Sequence, residues 1–81
     1  MQNKETIKQD LNILAKERGL EVTQVFKEED YKITLKDTKN LKEMKIEISY
    51  ECIQDFVEGQ DNDRKNEIDN LFRNVKIKLQ Q

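Results

Sequence analysis

Carboxylate side chains are concentrated in one stretch of this chain, and their spacing is the first feature that suggests a binding site. Residues 51–69 hold seven acidic side chains against two basic ones. Asp61 and Asp63 have the opening spacing of a calcium-binding loop, in which alternate side-chain oxygens surround the ion. The later positions do not fit, because Asn66 stands where the turn needs glycine and Phe72 where the bidentate glutamate belongs. The sequence therefore predicts no metal site, although Glu67 adds a further carboxylate.

The side chains that perform most enzyme chemistry are missing. The chain has no histidine, which is the usual general base at neutral pH, so its one cysteine, Cys52, has no imidazole to activate it. Acid pairs such as Asp55 with Glu58 show no sign of a pocket or an oriented nucleophile around them. We therefore predict that the protein is not an enzyme, with no catalytic residues and no cofactor, and that Cys52 is a small buried or half-buried residue.

Length and composition bound the class of protein. A chain of 81 residues has room for one hydrophobic core, so we expect a single domain over residues 1–81. Hydrophobic residues are 35% and charged residues 40%, and their periodicity distinguishes the chain from a disordered one. A lone cysteine forms no internal disulfide, and no apolar run suits a signal peptide or a membrane span, so a cytoplasmic location is expected.

Helical spacing of apolar residues predicts the first element that must position these side chains. It covers residues 4–18, with a capping box formed by Thr6 and Gln9 and a left-handed end at Gly19. The stripe expected to face the core consists of Ile7, Leu11, Leu14 and Ala15.

Period-two alternation then predicts three antiparallel strands joined by loops at residues 27–30 and 37–40. The alternation is strict in the second and third strands, whereas in the first strand Val25 falls off the pattern. One sheet face is therefore expected to be buried and the other wet. The sheet residues predicted to face the core are Phe26, Tyr31, Ile33, Leu35, Met44, Ile46, Ile48 and Tyr50.

Two helices are expected after the sheet. Ile53, Phe56 and Val57 predict a short helix that ends at Gly59, and a loop over residues 60–63 leads to a third helix. Its tail is ambiguous, because β-branched residues alternate with lysines and a short fourth strand at 75–80 is the alternative. The element order predicts an α+β fold: an N-terminal helix, a three-stranded antiparallel meander and two C-terminal helices covering the apolar sheet face.

The formal net charge of −2 hides an uneven distribution, since residues 51–69 have a net charge of −5 and the remainder +3. These acids have a plain interpretation as solvated faces of an ordinary domain. The functional interpretation is an acidic surface that selects a basic protein partner and speeds association. The predicted partner-binding residues are Glu51, Asp55, Glu58, Asp61 and Asp63.

Direct binding of nucleic acid through the wet sheet face is disfavoured. A sheet that binds single strands presents aromatic side chains among its cations for base stacking, and here the aromatic residues have the opposite parity. The wet-face residues are Thr23, Lys32, Thr34, Lys36 and Lys45. Ile13 and Ile77 fall off the helical stripes, and if they clustered with each other or with Val25 they would form a contact patch for a partner or a second copy. A monomer or weak homodimer is expected.

Four segments resemble the small phage-encoded anti-CRISPR proteins of Gram-positive hosts that inhibit Cas9. They are the strand YKITLK (Tyr31–Lys36), the helix IQDFVEG ending at Gly59, the acidic linker DND (Asp61–Asp63) and the closing FRNVKIKL (Phe72–Leu79). The resemblance covers nearly the whole chain and lies in architecture, not in a specific motif. It implies that the five partner-binding acids stand in for DNA phosphates where the enzyme engages its target duplex. This chain departs from those proteins in its near-neutral charge and its lysine-rich hairpin.

We therefore expect a non-enzymatic protein-binding domain: a phage or mobile-element inhibitor of a host nucleic-acid enzyme that presents an acidic, DNA-mimicking surface and binds no membrane. One alternative is an immunity-like or antitoxin-like partner of a single cognate protein. Another is a weak nucleic-acid binder that uses the lysine-rich sheet face.

Overall fold

The computed structural model describes residues 3–59 and 61–81. Its first helix, α1, runs from Lys4 to Glu17 and is capped by Asn3, whose side-chain oxygen accepts a hydrogen bond from the Thr6 backbone N–H at 2.9 Å. The predicted capping box at Thr6 is therefore wrong, because Thr6 already lies inside the first turn and a cap residue precedes the helix. Gly19 follows the helix in the left-handed conformation, with φ of 71°.

Three antiparallel strands form one sheet in the order β1–β2–β3, and two helices follow them, which confirms the predicted α+β architecture. The elements are β1 (Leu20–Lys27), β2 (Tyr31–Asp37), β3 (Glu43–Ile48), α2 (Tyr50–Val57) and α3 (Asn62–Leu79).

The alternative of a fourth strand at 75–80 is wrong, because α3 continues to Leu79. Burial explains the outcome: Val75 and Leu79, four residues apart, are both buried, whereas Ile77 between them is 48% exposed. A strand would have turned all three to the same face.

A β-bulge in β1 determines which residues of that strand face the core. The pairing of β1 with β2 shifts by one residue between Val22 and Gln24. Since side chains alternate along a strand, the shift reverses the facing of every later residue. Val25 is therefore buried and contributes to no surface patch, and the predicted core position of Phe26 is wrong, because its side chain is 47% exposed on the outer face.

The buried residues form one cluster to which all six elements contribute. Four of the predicted sheet positions, Tyr31, Ile33, Leu35 and Ile48, are fully inside it. Met44 and Ile46 pack against the cluster but stay half-buried, because β3 is an edge strand.

Tyr50 is the other wrong core prediction. It is the first residue of α2, since Ser49 ends the alternation and caps that helix by accepting a hydrogen bond from the Cys52 backbone N–H. The Tyr50 ring is 41% exposed and stacks on Tyr31 with 6.0 Å between the ring centroids.

An ion pair joins the end of β2 to the last turn of α3. The Lys76 Nζ atom on α3 donates to Asp37 Oδ2 at the end of β2 at 2.8 Å, and the Asp37 side chain is 1% exposed. The same ammonium donates to the Gly19 carbonyl at 3.2 Å. The second Asp37 oxygen accepts from the backbone N–H groups of Lys39 and Asn40. The hydrogen bond from Lys76 and those from the turn hold the pKa of Asp37 below its ordinary value.

The bulge predicts opposite effects of one substitution at two neighbouring positions. Val25→Asp should destabilise the protein by at least about 3 kcal/mol, because it places a carboxylate in the core. Phe26→Asp should cost about 1 kcal/mol or less, because that side chain faces solvent. Urea unfolding of both variants measures the difference. A larger loss for Phe26→Asp would mean that the strand is paired without the bulge.

Asp37 should make stability depend on acidity in a defined direction. A carboxyl whose folded-state pKa is lowered stabilises the protein above its unfolded-state pKa of about 4, and this contribution disappears as the pH falls through the folded-state pKa. Asp37→Asn should therefore be less stable than the natural chain at pH 7, and its stability should fall less steeply below pH of about 4. Urea midpoints measured between pH 2 and 7 test this. Parallel curves for the two proteins would contradict it.

Candidate functional site

The predicted partner-binding acids are distributed over α2 and the start of α3. Glu51, Asp55 and Glu58 are four and three residues apart, so they share one side of α2 and its cap. The Asp61 backbone N–H donates to the Asp55 carbonyl at 3.1 Å, which brings the start of α3 against the end of α2. Asp63 lies in the first turn of α3. Asp55, Glu58, Asp61 and Asp63 therefore lie near the corner between the two helices, and Glu51 lies on the same side of α2 one turn before Asp55.

Gly59 is required at this corner for reasons of space. A Cβ atom at this position would lie 2.9 Å from the Asp55 carbonyl oxygen, which is closer than side chains pack. The predicted end of the second helix at Gly59 is close to the observed one, since α2 ends at Val57 with Glu58 as its cap residue.

Two of the five acids have roles within the fold. Asp55 accepts a hydrogen bond from Arg64 Nε at 3.1 Å, and the same guanidinium donates to Glu67 at 3.0 Å. The hydrogen bonds to Glu67 and then Asp55 raise the pKa of Arg64. Asp61 is the cap of α3, and its side chain accepts from the backbone N–H groups of Asp63 and Arg64 at 2.8 and 3.2 Å.

The other three acids, Glu51, Glu58 and Asp63, are exposed, and none of them forms an ion pair within residues 3–59 and 61–81. Asp69, which belongs to the same acidic stretch but not to the predicted site, is paired with Arg18 of α1. The Arg18 Nε atom lies 3.0 Å from Asp69 Oδ1. That hydrogen bond lowers the pKa of Asp69. Glu51, Glu58 and Asp63 are thus the acids of this stretch whose side chains have neither an ion pair nor a capping role in the described residues.

The segment that resembles a calcium loop is helical. α3 begins at Asn62, so the residues after Asp61 follow a helix and do not wrap around an ion. The Asp61 side chain caps the helix, and the Glu67 side chain forms an ion pair with Arg64. In the described part of the chain, no three carboxylate or thiol side chains gather in a group that could hold a metal ion.

Cys52 is buried, as predicted for a small apolar residue, with 2% of its surface exposed. Its sulfur lies 3.7 Å from Glu67 Oε2, in a geometry in which the thiol donates to the carboxylate. Burial and then the charge of Glu67 raise the pKa of Cys52 to about 11. The thiolate that nucleophilic chemistry needs is therefore scarce at neutral pH.

The outer sheet face differs from the predicted wet face in two positions. The bulge adds Phe26 to it, and Thr34, predicted to be wet, is only 8% exposed on the central strand of the sheet. The Nζ atom of Lys4 lies 5.6 Å from the centre of the Phe26 ring, a cation–π contact. An aromatic side chain therefore does lie among the lysines of this face.

Charge pairing across the strands limits what that face can bind. Lys32 lies opposite Glu47 and Lys36 opposite Glu43, while Lys45 lies opposite Thr34. Lys32 also contacts Glu28 at 3.3 Å. A balanced surface with one aromatic residue lacks the cationic track and stacked aromatics typical of single-strand binding.

A groove that sequence reasoning missed lies between α1 and the α2–α3 corner. Its apolar lining includes Ile13, which is 63% exposed, and the half-buried Phe56. Ile13 fell off the helical stripe in the sequence, which was the available signal. The sequence predicts Phe56 on the buried stripe of α2. It does not show that Phe56 lies beside Ile13, because that proximity depends on how α1 and α2 pack together.

No protein-family model, no curated protein and no solved structure matches this chain. Within the described residues, no helix is both long and apolar enough to cross a membrane.

The environment of Cys52 predicts that its thiol reacts only when the fold opens. With 5,5′-dithiobis(2-nitrobenzoic acid) at pH 8, the folded protein should react at least about 100-fold more slowly than the protein in 6 M guanidinium chloride, because burial and the raised pKa both suppress the thiolate. Absorbance at 412 nm follows the reaction. Comparable rates in the two solutions would show that Cys52 is accessible.

Proposed function

We propose that this protein is a non-enzymatic binding domain that engages a basic protein surface through the acidic corner of α2 and α3. The supporting observation is that Glu51, Glu58 and Asp63 are exposed and make no ion pair in the described parts of the chain. Carboxylates left in this state keep their charge available to a partner and steer its approach.

The proposed partner is a host nucleic-acid enzyme of the Cas9 class, inhibited by a protein from a phage or mobile element. Such an enzyme holds DNA in a positively charged channel, which acidic side chains can occupy in place of phosphates. The support for this finer proposal is the resemblance in element order and the position of the exposed acids on α2 and the start of α3. An immunity-like partner of one cognate protein would use the same corner without resembling DNA.

The acids chosen for a functional test must be those without a role in the fold. Reversing Asp55 would place a lysine against Arg64, and reversing Asp61 would remove the cap of α3 at a cost of about 1 kcal/mol. Glu51, Glu58 and Asp63 are exposed and make no ion pair among the described residues, so they are the better choice. Glu51 and Asp63 lie in the first turns of α2 and α3, where the helix dipole favours an acid, so reversing each should cost about 0.3–1 kcal/mol.

The triple variant Glu51→Lys, Glu58→Lys and Asp63→Lys tests the acidic corner. A purified Cas9–guide RNA complex from a Gram-positive host is mixed with the protein, and cleavage of a target duplex is measured. The natural chain should inhibit cleavage, and the triple variant should inhibit at least about 100-fold less, because each lysine adds repulsion where an acid gave attraction.

The matched control carries the same change in net charge elsewhere: Glu5→Lys, Glu21→Lys and Glu29→Lys, three exposed positions on α1, β1 and the following turn. It should inhibit like the natural chain, and both triples should keep a cooperative thermal transition. An equal loss of inhibition in the two triple variants would mean that net charge alone causes the effect, and it would contradict a specific acidic binding surface. If the natural chain binds a purified cognate protein that duplex DNA does not displace, the immunity-like function replaces DNA mimicry.

A further inference from the structure

The groove between α1 and the α2–α3 corner combines an apolar floor with an acidic rim. Ile13 and Leu14 of α1 and Phe56 and Val57 of α2 form the floor of a recess of about 350 Å³. This volume lies in the range of pockets that take small ligands or a few side chains. Ile13 is 63% exposed, and an exposed apolar patch edged by polar groups is typical of an interaction site.

The rim is predominantly acidic. Asp10 and Glu17 lie three residues before and four residues after Ile13, so one turn of helix places a carboxylate on each side of it. Lys65 is the one cation among the described residues that line the groove. Two lining residues, Val57 and Asn62, are followed directly in the chain by Glu58 and Asp63 of the acidic surface.

We propose that this groove receives a large apolar side chain from a segment of the protein partner that carries lysine or arginine on both sides of that side chain. The proposal rests on the proposed function and adds an anchor to it. The buried apolar side chain supplies affinity, as at the centre of other interfaces, while the surrounding acids orient the segment and exclude acidic ones.

The same rim argues against two other occupants. A membrane surface is excluded by its anionic headgroups, which Asp10 and Glu17 would repel. A second copy could offer Leu41, which is 61% exposed between Lys39 and Lys42. Both copies would carry a net negative charge, which opposes their association.

Three synthetic peptides provide the test. The first has a Leu–Phe pair between two pairs of lysines, the second replaces that pair by two serines, and the third replaces the lysines by glutamates. Amide shifts in ¹⁵N–¹H NMR spectra of the full chain report binding and its location. The first peptide should shift the amides of Ile13, Phe56 and Val57 and bind at least tenfold more tightly than either of the others.

Ile13→Lys should weaken binding of the first peptide at least tenfold, since it fills the groove with a like charge, and it should still fold because the position is exposed. Ile77→Lys is the matched control: an equally apolar, 48% exposed residue on α3 outside the groove, which should bind like the natural chain.

Each other outcome overturns the proposal. If the serine peptide binds as tightly as the first, or if shifts cluster at Glu51 and Glu58 and spare the groove, charge alone acts and the groove is no anchor. The proposed function survives that result as long as the triple reversal at Glu51, Glu58 and Asp63 still abolishes inhibition. Concentration-dependent association of the natural chain that Ile13→Lys abolishes would assign the groove to a second copy.

Discussion

The ion pair between Asp37 and Lys76 ties together parts of the chain that are distant in sequence. Its two partners lie at the end of β2 and near the end of α3, and the Lys76 ammonium also reaches the Gly19 carbonyl between α1 and β1. Thr38 donates to that same carbonyl through both its backbone N–H and its hydroxyl. The sheet, the first helix and the last helix therefore depend on one cluster of polar contacts, because a charge as buried as that of Asp37 must be paired.

This cluster also sets a requirement at Gly19. The residue has a φ of 71°, and a Cβ atom there would lie 3.0 Å from Lys76 Nζ. A larger residue there would combine left-handed strain with displacement of the Lys76 ammonium. The glycine predicted as a helix stop is thus also part of the packing.

The sequence was sufficient to predict the α+β order, the strict alternation of β2 and the burial of residues such as Ile33, because those depend on local periodicity. It could not place Phe26, since a single bulge at Thr23 reverses facing without changing the composition of the strand. Val25 was the local sign of the shift. Likewise, Lys76 appeared in the sequence as one of several tail lysines, and its pairing with a turn aspartate 39 residues away depends on tertiary packing.

The acidic stretch shows the same limit for the candidate site. A count of charges treats Glu51, Asp55 and Asp61 as equivalent, yet a helix cap and an ion pair are set by geometry that the count omits. The contact between Asp55 and Arg64 exists because Gly59 lets the start of α3 approach the end of α2. Sequence proximity therefore identified the acidic region, while the division of its acids between structure and surface required the fold.

That division separates residues that stabilise the fold from residues that the proposed binding uses. Every buried side-chain nitrogen or oxygen in the described parts of the chain has a hydrogen-bond partner, and the buried carboxylate of Asp37 is satisfied by Lys76 and by the turn that follows β2. The exposed residues Glu58, Asp63 and Ile13 contribute little to these buried hydrogen bonds. Since exposed residues outside such networks change stability little when replaced, Ile13 and the exposed acids can vary while the core stays fixed, whereas Leu14 and Val57 of the groove belong to the core cluster. Under the proposed function, the choice of partner would therefore be set at these exposed positions.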